Sequence, residues 1–530
     1  MLFAPAAAAT TYDVGPGMPY AAVGDVPIES LGAGDELRIH WRQTPYREKL
    51  VVGNGGTMAA PLVVRGVPGP GGALPILDGD GATTRSQLDY WNQVRSVLKV
   101  GGSNAPGDAP SWVVVEGLDI RGGHPDHGFT DSDGAAQTYA GNAAAIHVEN
   151  GDHITIRGCV LRDSANGLFV SSDTADVLVE ASSIHGNGVV GDIFVHNNYT
   201  EARGIVFQGN HFGPLAPGAA GNNLKDRSAG LVVRYNWIEG GNRQLDLVDS
   251  SALAALPAYR QTFVYGNVLV EPDGAGNRQI VHYGGDSGVE ADYRKGTLYF
   301  YANTVVSTRT DRTTLFRLSS SGETADVRNN VFYATGAGGD TELTAQDGDL
   351  RWGWNWIKPG WTPSFAGATG TVTDLGGRVE GASPGFADEG AQDFRLAAGS
   401  GARDAAGPLA AGAPPVDREY VVHQGLADRP GSGDLGAFEF CATGCAPVGG
   451  ADAGVVPGTD AGTIPGPVDA GTPGAGEGPD GLSAGCAVPA GGRPDPPFGL
   501  AILAALAALR ASYPHVQRFP RRRPHAAPRR

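Results

Sequence analysis

Short runs in which apolar and polar residues alternate recur along most of the chain. One stretch, NNLKDRSAGLVVRYNWIEGGNRQLDLVDS (222–250), contains every element that the others repeat. Its core is LVVRYNWI, in which Leu231 and Val233 precede Asn236, and Trp237 and Ile238 follow it. Similar runs surround Asn210, Asn267, Asn303, Asn330 and Asn355, and looser copies carry Cys159 and position 182 in the same slot. The slots lie 23 to 36 residues apart, as expected for coils of one shape joined by loops of unequal length. A second short strand of the form apolar, any residue, apolar falls between successive copies. Its middle positions are His147, Phe169, Phe194, Lys225, Asp246, Val281 and Arg317. Two strands per coil, with period-two alternation and no helical spacing, predict an all-β right-handed parallel β-helix. The Asn slot is then a turn where side-chain amides stack from coil to coil and left-handed backbone is tolerated.

The solenoid pattern does not cover the whole chain. Residues 1–10 read as the remnant of a secretory signal peptide with an Ala-rich cleavage region. Residues 11–110 form the N-terminal cap, 111–360 the regular coils, and 361–445 the C-terminal end of the β-helix. From 446 to 485 the sequence is a low-complexity linker with DAG at 452, 460 and 469, too polar and too rich in Gly and Pro to bury a core, hence a disordered stalk. Residues 486–530 hold a short hydrophobic segment, FGLAILAALAAL (498–509), shorter than the roughly 20 residues a membrane span needs. Cys159 sits in a ladder slot and reads as a small buried hydrophobe, whereas Cys441 and Cys445 have the spacing of a short-loop disulfide.

A net charge of -17 argues against a nucleic-acid partner, which would need a basic face. Any acidic ligand must therefore be held by a local basic patch. Counting alternate residues along the second strand series places Asp192, Phe194 and His196 on one outer face. Asn223, Lys225 and Arg227 follow, then Gln244, Asp246 and Val248, then Gln279, Val281 and Tyr283, then Leu315, Arg317 and Ser319. Amides, charges and aromatic rings in such a mixture suit a polysaccharide. Lys225 with Arg227 and His196 makes a positive spot for a uronate carboxylate, and a lysine whose pKa is lowered there can abstract a proton for β-elimination. An ordinary cross-strand pair between Lys225 and Asp246 is the simpler reading.

NRQLDLVDS (242–250) is echoed by NRQIVHYGGDS (277–287), so Arg243 and Arg278 share a slot, Val281 replaces Asp246, and His282 points inward. A hydrolase would need two carboxylates facing each other, for which Asp192 and Asp246 are candidates and Asp249 a spare. The loop 121–142, with His124, Asp126, His127, Asp131 and Asp133, is polar enough for a metal, although solvation alone accounts for its composition.

The coils, the segments GAGDELRI and APLVVRGV, and the motif NNLKDRSAGLVVRYN resemble bacterial right-handed β-helix repeat proteins and, more distantly, the alginate lyase and chondroitinase B family of polysaccharide lyases. The resemblance spans about residues 12 to 440 and implies Lys225 as the base, with Arg227, Arg234 and Arg243 competing for the arginine acid. In that family the lysine is commonly followed by Ser, where this chain has Asp226 and Arg227. Calcium assists some such enzymes, but no matched carboxylates mark its site here. From Gly485 and Cys486 onward, with Arg510 and the cluster Arg521 to Arg523, the tail resembles the MYXO-CTERM surface-sorting signal of myxobacterial proteins, apart from the inserted ASYPHVQRFP. That resemblance implies Cys486 as the attachment point and a location on the outer cell surface. The sum is an exported, monomeric β-helix that cleaves an acidic polysaccharide as a lyase. The alternatives are a non-catalytic carbohydrate-binding or adhesin protein and a glycoside hydrolase.

Overall fold

The computed structural model describes residues 9–441 except 106, 336–340 and 368. The stalk, Cys445, Cys486 and the remainder of the tail lie outside the described residues. Three long parallel sheets wind through this part, of 13, 11 and 13 strands. One coil shows the plan: Ala229–Arg234 lies in the first sheet, Trp237–Glu239 in the second and Leu245–Leu247 in the third. Each strand pairs in parallel with its counterpart one coil on, so Val232 faces Phe263, Trp237 faces Val268 and Asp246 faces His282. The result is the expected right-handed parallel β-helix.

A coil has three strands rather than two. The run LVVRYNWI is cut at Tyr235 and Asn236, and its last residues start a separate sheet. The left-handed residue is the one before the Asn slot, with φ of 56° at Tyr235, 51° at Ala302, 58° at Asn329 and 50° at Trp354. The Asn side chain then turns inward and makes a ladder. Asn236 Nδ2 donates to Phe207 O (3.0 Å), Arg234 O (2.9 Å) and Asn267 Oδ1 (3.0 Å), while its own Oδ1 accepts from Asn210 N–H and Nδ2 (both 3.0 Å). Ser182 and Cys159 extend the column, and burial pushes the Cys159 thiol up to about 12.

Between the ladders the interior is filled by residues such as Leu231, Val233, Ile238, Leu245 and Leu247, all fully buried. Burial of each such side chain is worth about 1.5–3 kcal/mol. Parallel pairing begins at Thr11–Val14 against Glu36–His40, well before the regular sequence repeat. At the far end, residues 386–441 do not add coils. Their hairpins, Phe386–Asp388 with Asp393–Leu396 and Arg418–Val421 with Gly425–Asp428, are antiparallel. They fold back over the second sheet, where Phe394 stacks on Trp237 (5.5 Å) and Tyr420 packs beside it. Tyr235 and Tyr301 hold the return segment through Asp417 Oδ1 and Pro414 O, both at 2.9 Å. Leu409, Ala413 and Val416 of the same segment join Val232, Phe263 and Tyr299 of the first sheet in one apolar cluster.

Candidate functional site on the third sheet

The outward column of the third sheet runs Lys99, His147, Phe169, Tyr199, Lys225, Asp246, His282 and Arg317. Two positions differ from the sequence expectation. Tyr199 takes the place given to Phe194, because the strand at that level is Asn198–Thr200. Its interior positions are polar and hydrogen-bonded inside the solenoid, Asn198 Nδ2 to Thr200 Oγ1 (3.1 Å) and Thr200 Oγ1 to Asp226 Oδ2 (2.6 Å), which disguised it. Phe194 sits in the preceding loop with 46% of its surface exposed, and its N–H is held by Asp192 in the same loop (2.7 Å). His282 takes the place given to Val281. The additional residue Ile280 shifts the strand by one, so Val281 and Tyr283 face the core and Tyr283 is not a substrate-binding residue.

Lys225 and Asp246 are the centre of an ionic cluster. Lys225 Nζ lies 2.6 Å from Asp246 Oδ2 and 2.7 Å from Asp286 Oδ2. Asp246 also accepts from Asn222 Nδ2 (2.8 Å) and His282 Nδ1 (2.8 Å), with Arg243 Nη1 at 3.5 Å. Arg227 bridges Asp286 Oδ1 (3.1 Å), Asp249 Oδ1 (3.4 Å) and the Tyr199 hydroxyl (3.0 Å). Asp286 N–H donates to Asp249 Oδ1 (2.8 Å). Asp286 is the exposed member, at 39%, and Asp246 the buried one, at 1%.

Burial alone would lower the Lys225 pKa, but the carboxylates of Asp246 and Asp286 outweigh it and the net shift is upward. The lysine is thus a held ammonium, and the expectation of a lowered pKa is corrected. Burial opposes ionisation of Asp246 and Asp286 too, yet Lys225 with His282 and Arg243 in one case, and with Arg227 in the other, holds both below the usual carboxylate range. His196 is no part of the positive spot. Burial, with Lys225 beside it, presses its pKa down to about 3, and its Nδ1 accepts the Asn222 N–H (2.9 Å). Burial likewise lowers His282 to about 4.

The remaining candidates divide. Arg243 Nε donates to Gln279 Oε1 (3.0 Å), so both stand beside the cluster. Arg317, one coil past His282, bonds Gln346 (2.9 Å). Asn223 and Gln244 do not face a ligand. Asn223 Nδ2 is buried on Glu239 O (2.6 Å), and Gln244 Nε2 is buried on Val270 O (3.1 Å) and the Glu271 carboxylate. Their sequence neighbour Asn222 is the amide that reaches Asp246.

Sequence reasoning missed Asp286 and Arg294. Arg294 is fully buried, with Nη2 3.0 Å from Asp226 Oδ1 and Nη1 2.7 Å from Ser228 O, and so anchors the loop that carries Asp286. The repeated Asp-Ser pair, Asp249–Ser250 and Asp286–Ser287, was the available signal. A calcium ion does not fit the cluster, whose carboxylates are already engaged by Lys225, Arg227 and Arg243. Among the described residues no group of three or more His, Cys, Asp or Glu is placed to hold a metal. In the 121–142 loop, Asp131 instead caps a hairpin turn by accepting the N–H groups of Asp133 and Ala135.

Fold and site together define a parallel β-helix with an outward cluster of paired charges on one sheet. No protein-family model and no curated protein matches the sequence. Among solved structures the chain is similar to an alginate lyase from Paenibacillus sp. str. FPU-7, at 13% identity and a TM-score of 0.43 over 63% of this chain and 97% of that one. It is also similar to a pectate lyase (12%, TM-score 0.45, 81% and 96%) and a rhamnogalacturonan lyase (13%, TM-score 0.41, 72% and 91%). At these scores the chemistry of the site has to be read from its own geometry.

Proposed function

We propose that the protein is exported and acts on an acidic polysaccharide at the Lys225–Arg227 face, cleaving it by β-elimination. The observation that carries this reading is that both cations share one partly exposed carboxylate, Asp286, on an outward face. A uronate carboxylate has the same chemistry and can replace Asp286 without leaving either cation unpaired. Neutralised there, the substrate carboxylate makes the adjacent C–H more acidic. A base takes that proton, its electron pair becomes a carbon–carbon double bond, the neighbouring bond to the glycosidic oxygen breaks, and that oxygen takes a proton. The ammonium of Lys225 suits neutralisation and proton donation. Tyr199, with its oxygen on Arg227 Nε, is the hydroxyl beside them that can carry a proton.

Hydrolysis is disfavoured because Asp246 and Asp286 are held ionised, the opposite of a general acid. The protonated state of Lys225 favours one second reading, a surface carbohydrate-binding protein that makes the same carboxylate exchange without proton transfer. The signal-like start and the sorting-like tail support export and attachment to the outer cell surface.

The test is ultraviolet absorbance of unsaturated products from alginate, pectate and chondroitin, with and without calcium, for the full chain and Lys225→Ala. Absorbance that disappears in the variant supports elimination at this face. Binding without absorbance selects the second reading, and neither binding nor absorbance removes both.

A further inference from the structure

The column continues away from Lys225 through Tyr199 and Phe169 to His147, and a second cation waits there. Arg95, at the end of the short turn Gln93–Arg95, lies with its guanidinium carbon 4.8 Å from the centre of the Phe169 ring. Its Nε and Nη2 are buried, and among the described residues neither has a hydrogen-bond partner. The carboxylate whose charge reaches it, Glu149, is committed to Lys99 (2.5 Å) and to the Trp91 indole N–H. Beside Arg95 the imidazole of His147 is 3% exposed, bonded through Nε2 to Ser171 Oγ (3.1 Å), and its buried Nδ1 has no partner. Phe169 and Tyr199 link this place to Arg227, meeting edge to face at 5.1 Å, and both rings remain partly exposed.

Arg95 is half-buried, and its two buried nitrogens have lost their hydration with only the Phe169 ring beside them, an arrangement that a ligand carboxylate would correct. Two other buried cations of this column already have their anions, Lys99 with Glu149 and Lys225 with Asp246 and Asp286. The aromatic rings between the two basic positions offer apolar faces for the C–H surfaces of sugars. His147 lies three coil steps from Lys225, roughly 14 Å at about 4.8 Å per step.

We propose that Arg95, with His147 and Phe169, forms a second anion-binding subsite that takes a further carboxylate of the same polysaccharide chain. This rests on the reading of the Lys225 face as a carbohydrate site. The two ends, each cationic and separated by an aromatic stretch, then select a long acidic chain over a short one.

Calorimetric titration of the full chain with a hexauronate and with the corresponding diuronate tests this. The wild type is expected to bind the hexamer at least tenfold more tightly, and the ratio of the two dissociation constants is expected to collapse in Arg95→Gln. Arg95→Lys, which restores the charge on a slimmer side chain, should recover part of the ratio and shows that loss in the first variant is not misfolding. An equal affinity of the wild type for both ligands, or an unchanged ratio in Arg95→Gln, overturns the subsite while leaving the Lys225 reading intact. Absence of binding by the wild type to either ligand overturns both.

Discussion

Substitution of Asn236 tests the account of the ladder, because three replacements at one slot are predicted in a definite order. Asn236→Ala removes the acceptor of the Asn210 N–H and the donor to Phe207 O, Arg234 O and Asn267 Oδ1. The Asn210 amide side chain keeps Val179 O at 2.8 Å, so the main orphan is one buried backbone N–H, together with a small void. An unsatisfied buried group costs about 1–3 kcal/mol, which puts Ala at about 2–4 kcal/mol with the void included. Asn236→Ser keeps an acceptor for the Asn210 N–H, as Ser182 does for Cys159 N–H at 3.1 Å, and is expected near 1 kcal/mol. Asn236→Asp preserves size and shape but turns a charged oxygen toward two carbonyls, and is expected to cost the most, about 3–5 kcal/mol. Urea denaturation of the full chain, followed by tryptophan fluorescence and circular dichroism, gives the ranking. A stable Asp variant, or a Ser variant worse than Ala, would refute the claim that directional hydrogen bonding and not volume sets this slot.

Other outcomes follow from the cluster. Arg294→Met should destabilise by about 3–5 kcal/mol, read in the same denaturation experiment, because it leaves Asp226 buried without its cation. Asp286→Ala should strengthen binding of acidic oligosaccharides severalfold at low salt, since the competing carboxylate is gone; weaker binding in a titration would contradict the exchange model. His282 is neutral with a folded pKa of about 4, below its unfolded value near 6.5, so the stabilisation it carries is present above about pH 6.5 and is lost as pH falls toward 4. Relative to wild type, His282→Gln should therefore flatten the stability profile in that window by about 1.4 kcal/mol per pH unit. For Lys225 the sign is opposite. Its pKa is raised, so its contribution is complete below about 10.4 and is lost only as pH rises through the folded value, which an alkaline denaturation series would detect.

The winding of the chain was legible because period-two runs and the Asn slots repeat at every coil. The second sheet was not, since its strands are as short as Trp356–Ile357 and begin directly after the turn residue. Register failed where local rules invert. Thr200 and Asp226 are polar yet interior, satisfied by each other at 2.6 Å, so an apolar template skipped the strand that presents Tyr199. One additional residue, Ile280, reversed the facing of Val281 and His282. Lys225 and Asp246 were found because both sit mid-strand in adjacent coils. Asp286 and Arg294 were not, because they reach Lys225 and Asp226 across 61 and 68 residues from a loop whose repeated Asp-Ser pair does not reveal which strand it meets.

That loop couples two neighbouring residues that point in opposite directions. Lys225 faces outward to Asp286, and Asp226 faces inward to Arg294, eight residues further along the same loop. The inner pair acts as a hasp behind the outer one. Swinging the loop away would expose a fully buried ion pair, so the proposed exchange at Asp286 requires one side chain to rotate while the backbone stays fastened. On the proposed reading the face is a fixed keyboard on which a single carboxylate lifts, and not a lid that opens.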